Sequence, residues 1–182
     1  TRAGIGNSLI CESKEKNLKD LKNFTFITFM ISMFCSSCFL ALYQPFMRIW
    51  VGEQNLLSFN IVICICIMFV LRYFKQLLMT YKDAAGVWHQ DRFRPLIAGL
   101  ANLLMNVVMV QYWGLYGVVL STILSEAIIE IPWLIYNLFK TIFCKSSRNY
   151  VVISVKYILV ALIAIIISSV ITNSLPEIGF VY

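Results

Sequence analysis

The feature that most constrains this chain is the length of its uncharged apolar runs. Residues 24–47 contain no Asp, Glu, Lys or Arg in 24 consecutive positions. A helix of about 20 residues crosses the roughly 30 Å hydrocarbon core of a bilayer. The chain is 60% hydrophobic and 13% charged, whereas a soluble domain carries about 25% charged residues. The sequence therefore predicts an all-α polytopic membrane protein.

Later segments repeat this pattern and complete a prediction of about five membrane spans. The predicted spans are residues 24–47, 56–81, 96–112, 115–139 and 157–175. Residues 1–23 precede them as a loop with a short surface helix, and residues 140–156 form a basic loop before the last span. Trp113-Gly114 separates the third and fourth spans, which we expect to form a tight hairpin. The first residues, TRAGIGNSLI, resemble the end of a helix, so we interpret the chain as part of a longer protein.

The distribution of lysine and arginine predicts the orientation of the spans. The loops at residues 1–23, 82–95 and 140–149 hold five, three and three basic residues, while Arg48 stands alone on the other side. Basic residues collect in cytoplasmic loops, so we expect the N-terminal end and both internal loops to be cytoplasmic. The net charge of +6 lies in short clusters between apolar runs rather than on one polar face. Nucleic acid is therefore not an expected partner.

Residues that would support catalysis or metal binding are scarce. The single histidine, His89, lies in a loop, and the chain contains no glycine-rich phosphate loop, zinc-ligand spacing or serine nucleophile motif. Cys35 and Cys38 have redox-motif spacing, but no βαβ pattern surrounds them. We expect no catalytic residues, cofactor, metal site or disulfide. A polytopic glycosyltransferase or polymerase would need a large polar loop, and the longest internal loop has about 15 residues.

Two glutamates lie inside the fourth span. Glu126 and Glu130 share one helical face with Thr122 and Asn137. Ionisable groups inside a membrane are costly and often functional, so this face should line a water-filled cavity or contact a partner helix. It is a candidate proton or cation relay, or one wall of a substrate path. The alternative is polar packing against a neighbouring helix.

Other polar residues lie in the second and third spans. Asn102 and Asn106 form a stripe that we include among the cavity candidates, although helix packing with a shared hydrogen bond is the favoured interpretation. Arg72 and Lys75, with Gln76 beside them, lie towards the cytoplasmic end of the second span. They are candidates to contact an anionic head group that arrives from the cytosol. The alternative is that both cations extend to the membrane interface.

The polar break at residues 81–95 carries both charge signs between two apolar runs. Asp83, Asp91, Arg92 and Arg94 can pair with one another and anchor helix ends at the interface. We interpret these four residues as a structural clamp, and we expect the transport chemistry to lie in the helices that it joins.

Several short motifs occur in an order that resembles one family. They are DAAG at 83–86, QDRFRP at 90–95, Asn102, Gly6-Asn7 before a charged segment, Pro45-Phe46 followed by Trp50-Val51-Gly52, Lys75-Gln76, and Gly114 and Gly117 with Ser121, Thr122 and Ser125. Over roughly residues 4–136, this order and spacing resembles the bacterial polysaccharide-export flippases. These belong to the multidrug/oligosaccharidyl-lipid/polysaccharide exporter superfamily.

The resemblance implies a transporter of 12 to 14 helices in two lobes, with this chain forming most of the C-terminal lobe. Members move undecaprenyl-pyrophosphate-linked oligosaccharide across the bacterial inner membrane by alternating access, with H+ or Na+ as coupling ion. The implied partners are membrane lipid, the lipid-linked oligosaccharide and other polysaccharide-assembly proteins. Two alternatives stay open. One is a multidrug exporter of organic cations, in which Glu126 and Glu130 would bind the drug, and the other is a non-transporting membrane subunit.

Overall fold

The predicted all-α fold is confirmed. The computed structural model describes residues 2–174 of the 182, and no β-strand occurs within that range. The helices are α1 Arg2–Cys11, α2 Lys14–Val51, α3 Phe59–Ala84, α4 Arg94–Ser125, α5 Ile131–Leu138 and α6 Arg148–Ser174. A 3-10 turn, Glu53–Asn55, follows α2, and two π-helical turns, Glu126–Glu130 and Phe139–Phe143, flank α5.

Four helical runs are long and apolar enough to cross a membrane. They are Lys14–Val51, Phe59–Ala84, Arg94–Phe143 and Arg148–Thr172. The third run has 50 residues and folds back on itself at Gly114. It therefore forms two antiparallel arms, a first arm of residues 94–113 and a second arm of residues 115–143.

Two glycines explain why the arms lie so close together. Gly114 has φ 53° and ψ −133°, a conformation that side chains with a Cβ rarely adopt. A Cβ on Gly117 would lie 2.3 Å from the carbonyl oxygen of Met109, so the arms could not approach this closely with any other residue there. Ser121 Oγ then donates to Asn106 Oδ1 across the hairpin at 2.6 Å.

The short surface helix predicted within residues 1–23, at the charged residues 12–23, is not a separate element. Residues 14–23 form the first turns of α2, whose N-terminus is capped by Ser13 Oγ accepting from the Lys16 amide at 3.3 Å. The helix continues because no glycine or proline follows before Pro45, which itself lies inside the helix rather than at its end. At 1.5 Å per residue, α2 is about 57 Å long, so its charged turns extend beyond the apolar core of a bilayer.

The basic loop predicted at residues 140–156 is also shorter than expected. The second arm remains helical to Phe143, Cys144 adopts a left-handed conformation with φ 51°, and α6 begins at Arg148. Only residues 144–147 lie outside helices, because the apolar residues after Tyr150 extend the last helix towards its N-terminus. Of the predicted span 157–175, Leu175 lies outside the described residues.

The core forms where α2, α3, α6 and the second arm meet. Aromatic rings contact one another through this region: Phe29 lies 5.0 Å from Phe74, and Phe139 lies 5.2 Å from Tyr150, between ring centroids. Each such pair stabilises packing by about 0.5–1.5 kcal/mol beyond its buried area. Large apolar side chains on the outside of the helices are exposed, as expected for surfaces that face lipid.

The basic segments gather at one end of the bundle. Lys145 at the 144–147 turn pairs with Glu15 near the start of α2 at 2.9 Å. Arg2 of α1 pairs with Asp83 near the end of α3 at 3.3 Å. We call this the basic end: the start of α2 together with residues 85–93 and 144–147.

Candidate functional site

The candidate site lies between α3 and the second arm. On α3, Arg72, Lys75 and Lys82 follow one another at intervals of three and seven residues, which places them on one helical face. The second arm contributes Glu126 and Glu130 from its first π-helical turn. Such turns locally widen a helix and are frequent at functional sites.

Glu126 is the innermost carboxylate of the site. Its Oε1 accepts from Arg72 Nε at 3.0 Å and from Lys75 Nζ at 2.8 Å. The Glu126 side chain is 4% exposed, whereas that of Arg72 is 52% exposed. Its second oxygen, Oε2, is buried and has no hydrogen-bond partner among the described residues. Glu126 thus holds two cations with one oxygen, and one of those cations reaches the surface.

Glu130 extends the network towards the basic end. Its Oε1 accepts from Lys75 Nζ at 3.2 Å, and its Oε2 accepts from Arg94 Nη1 at 2.5 Å. Lys75 therefore bridges the two glutamates, and Glu130 bridges two cations. Arg94 is placed for this contact because it opens the first arm of the hairpin, opposite Glu130.

Asp91 is the most enclosed member of the network. Arg94 Nε donates to both of its carboxylate oxygens, at 2.9 and 3.0 Å, and Lys82 Nζ lies 3.3 Å from Oδ2. Asn137 of the second arm donates to Oδ1 at 3.4 Å. The side chains of Asp91, Arg94 and Lys82 are each 3–4% exposed. Lys82 also pairs with Asp83 at 3.1 Å.

These contacts form one continuous row in which positive and negative side chains alternate. Its members, in spatial order, are Arg72, Glu126, Lys75, Glu130, Arg94, Asp91, Lys82, Asp83 and Arg2. We call this row the ionic ladder. It carries five cations and four anions, and only its two ends, Arg72 and Arg2, are more than half exposed. Removing one partner of a buried pair typically costs about 3–5 kcal/mol, so the inner members fix the helices to one another.

The ladder joins three groups that the sequence suggested separately. Arg72 and Lys75 were candidates for a head group, Glu126 and Glu130 for a cavity, and Asp83, Asp91 and Arg94 for a clamp; all seven lie in one network. Sequence reasoning missed Lys82 and Arg2. For Lys82 a signal existed, because it lies seven residues after Lys75 on the same face of α3.

Five predicted site residues lie outside the ladder: Gln76, Arg92 and Thr122, and the two asparagines Asn102 and Asn106. Gln76 is exposed and lies on a different face of α3, since one residue along a helix turns the side chain by about 100°. Arg92, predicted to join the clamp, is exposed; its guanidinium lies over the Phe93 ring at 4.6 Å, and it forms no salt bridge within residues 2–174. Thr122 donates to the carbonyl of Val118 in its own helix at 3.0 Å.

The asparagine stripe of the third span connects the two arms of the hairpin. Asn106 donates to Asn102 Oδ1 at 3.1 Å and accepts from Ser121 at 2.6 Å. Ser125 Oγ donates to the carbonyl of Ala98 at 3.1 Å. These bonds support the packing interpretation of Asn102 and Asn106, because both amides are used within the hairpin.

The chemistry available at the ladder is exchange of ionic partners. Arg72 and Lys75 are held by carboxylates, yet the Arg72 side chain is half exposed, so an incoming anion can reach a guanidinium that is already fixed in position. Phosphate oxygens match the planar donor fork of arginine. Comparisons with protein-family models, with characterised proteins and with solved structures find no match to this chain. What its structure shows is an all-α protein with membrane-length apolar helices and a buried row of alternating charges.

Proposed function

We propose that the chain is the C-terminal part of a flippase that moves undecaprenyl-pyrophosphate-linked oligosaccharide across a bacterial inner membrane. The observation that carries this proposal is the position of Arg72 and Lys75. Both are cations on a membrane-length helix, both are oriented by Glu126, and Arg72 is half exposed. The motif resemblance over residues 4–136 supports the same family.

In the proposed mechanism, the pyrophosphate of the cargo competes with Glu126 for the two cations. Arg72 and Lys75 leave the carboxylate and bind phosphate oxygens with charge-assisted hydrogen bonds. Because these cations hold α3 against the second arm, their release lets the two elements separate. Binding of the head group is thereby coupled to the change between inward-open and outward-open states.

The proposed coupling to an ion depends on Glu126, which loses its two cationic partners when the cargo binds. A carboxylate that loses its cations inside a membrane is costly, so a proton or Na+ has to neutralise it when the cargo takes Arg72 and Lys75. Glu130 keeps Arg94 as a partner in this step. Glu126 is therefore the proposed coupling residue, and Glu130 anchors the second arm while the contact opens.

The proposed orientation places the basic end in the cytosol. The cargo then approaches Arg72 from the cytoplasmic leaflet, where lipid-linked oligosaccharide would be loaded. Membrane lipid surrounds the outward apolar faces, and other polysaccharide-assembly proteins are the proposed neighbours.

The ion pairs weigh against the organic-cation exporter. In that alternative Glu126 and Glu130 bind a cationic drug directly, yet both already contact cations of the protein. A drug would have to displace charge-assisted bonds of similar strength. The other alternative is a non-transporting membrane subunit. It predicts that the purified full-length protein does not flip lipid-linked oligosaccharide.

The proposal is tested by removing the two cations. In the full-length protein, Arg72→Ala combined with Lys75→Ala should reduce flipping of undecaprenyl-pyrophosphate oligosaccharide in proteoliposomes at least tenfold. Because this leaves Glu126 without a partner, the triple variant that adds Glu126→Gln keeps the site neutral and should be equally inactive.

The matched control is Lys145→Ala, which removes one cation from an exposed pair with Glu15. It should flip cargo at the wild-type rate. Undiminished flipping by the neutral triple variant would rule out the head-group role of Arg72 and Lys75. Unchanged transport after Glu126→Gln combined with Glu130→Gln would rule out the coupling and gating roles.

A further inference from the structure

A cavity lies at the basic end, between α1, α2 and α3. It has a volume of about 440 Å³, within the roughly 300–1,000 Å³ of small-molecule sites. The cavity borders the face of α3 that carries Tyr73, Gln76 and Thr80, not the face that carries the ionic ladder. Among its lining residues Asp20 is the one charged side chain.

Asp20 differs from the other acidic residues within residues 2–174 in forming no salt bridge, although the exposed Lys16, one helical turn earlier on α2, interacts with it electrostatically. Of the eight Asp and Glu side chains within residues 2–174, seven form salt bridges. Asp20 forms none within that range, although it is half-buried. None of the residues that line the cavity is a cation, and a carboxylate that is partly removed from water without a salt bridge is costly. The cavity is therefore suited to a positively charged ligand.

Tyr81 provides a second, independent observation. Its side chain is 2% exposed and lines the same cavity, but its hydroxyl makes no hydrogen bond to another described residue. Asp20 and Tyr81 line the same cavity, so a carboxylate and a phenol that could both accept from a ligand border one space.

Neighbouring hydrogen bonds hold the walls of the cavity in place. Ser8 Oγ donates to Asn17 Oδ1 at 2.8 Å, and Asn17 Nδ2 donates to the Ser8 carbonyl at 3.1 Å. This pair fixes α1 against the start of α2. On α3, Thr80 Oγ1 donates to the Gln76 carbonyl at 2.8 Å. The cavity is thus preformed by contacts that do not use Asp20.

The aromatic lining indicates which kind of cation fits. Phe24, Tyr73 and Tyr81 border the cavity, and the faces of aromatic rings attract ammonium groups. A metal ion such as Ca²⁺ would instead need about six to eight oxygen ligands at close range. We infer that this cavity binds an organic ammonium group, with Asp20 as its counter-ion and the Tyr81 hydroxyl as a second acceptor.

The ammonium group has two sources, the head group of an aminophospholipid or a soluble amine. Both sources can reach the cavity, because it lies where the helices leave the apolar core. This inference goes beyond the transport proposal and does not depend on it, since the cavity uses no member of the ionic ladder.

The test uses choline as probe and the full chain in nanodiscs of phosphatidylglycerol, whose head group carries no ammonium. Choline should bind in a calorimetric titration, and its uncharged isostere 3,3-dimethyl-1-butanol should not compete. Asp20→Asn should weaken choline binding at least tenfold, and Tyr81→Phe should weaken it several-fold. Glu15→Gln, which alters an exposed acid on the same helix outside the cavity, should leave binding unchanged.

A second arm of the experiment identifies the source. If phosphatidylethanolamine added to the nanodiscs competes with choline, the natural ligand is a lipid head group; if it does not, the ligand is a soluble amine. Equal choline binding by wild type and by an Asp20→Asn variant of unchanged thermal stability would overturn the inference. Equal competition by the uncharged isostere would also overturn it.

Discussion

Asp91 and Arg92 are adjacent in sequence, yet their side chains have opposite surroundings. Asp91 is enclosed between Arg94 and Lys82, while Arg92 lies exposed over the ring of Phe93. Both were predicted to belong to one clamp. Their difference follows from the turn that precedes the first arm, which directs one side chain inwards and the next outwards.

We expect Asp91→Asn to lower the free energy of unfolding by about 1.5–3 kcal/mol, because two buried cations lose their shared anion. The loss is no larger because Arg94 keeps Glu130 and Lys82 keeps Asp83 as partners. Unfolding in mixed detergent micelles, followed by circular dichroism, measures this change. Arg92→Ala is the matched control and should stay within about 0.5 kcal/mol of wild type, as exposed substitutions usually do. Equal stability of the two variants would contradict the buried position of Asp91.

The residues that pair with Glu126 could not be predicted from the sequence. The acidic face of the fourth span and the Arg72–Lys75 pair were both visible, because charges stand out in apolar helices. Their pairing was not, since it joins residues that are 51 to 55 positions apart. The spacing of polar residues within one helix does not show which face of another helix they will contact. Gln76 shows the converse: sequence adjacency to Lys75 suggested a shared site, and helical geometry separates them.

Among the helical elements, the hairpin about Gly114 depends on close contact between its arms. Gly117→Ala should destabilise the protein by about 1–3 kcal/mol, because the added methyl group meets the Met109 backbone and the arms have to move apart. Thermal unfolding of the purified chain in detergent measures the effect.

Gly99 provides a matched control within the same hairpin. Nothing lies within 4 Å of a Cβ added there, and replacing a helical glycine by alanine stabilises by about 0.5–1 kcal/mol. Gly99→Ala should therefore raise the melting temperature while Gly117→Ala lowers it. A Gly117→Ala variant as stable as wild type would show that the arms do not pack at this distance.

The number and the α-helical type of the membrane-spanning elements could be predicted, because a long apolar run in a bilayer forms a helix that satisfies its own backbone hydrogen bonds. Their ends were less predictable. Hydropathy reports where a helix meets lipid. However, α2 begins ten residues before the predicted span 24–47, and α6 begins nine residues before the predicted span 157–175. In both places charged or mixed segments are good helix formers, so the helix continues past the membrane boundary that hydropathy detects.

At the scale of the whole molecule, the basic end gives a prediction about sidedness. Cys144 is exposed and lies beside Lys14, whose Nζ is 3.3 Å from its sulfur. In a Cys11→Ser background, a membrane-impermeant maleimide should label Cys144 in inside-out vesicles and not in right-side-out spheroplasts. Cys35 and Cys38 lie inside the apolar run of α2 and should stay unlabelled in both preparations.

The control places a thiol at the opposite end. Glu53→Cys, in the turn that follows α2, should react in spheroplasts, because the Glu53 side chain is 77% exposed there. Labelling of Cys144 from the outside would reverse the proposed orientation. Labelling of positions 53 and 144 from the same side would contradict the single crossing of α2, which begins beside Cys144 at Lys14 and ends just before Glu53.

The ionic ladder also bears on how the protein is made. Its cations on α3 leave the ribosome before the carboxylates of the second arm, since Lys75 precedes Glu126 by 51 residues. At about 5–20 residues per second, that interval is roughly 3 to 10 seconds. Arg94 and Glu130 belong to the same hairpin and are inserted together. During biosynthesis, Glu126 and Glu130 thus reach the bilayer when the cations of α3 that they pair with are already there.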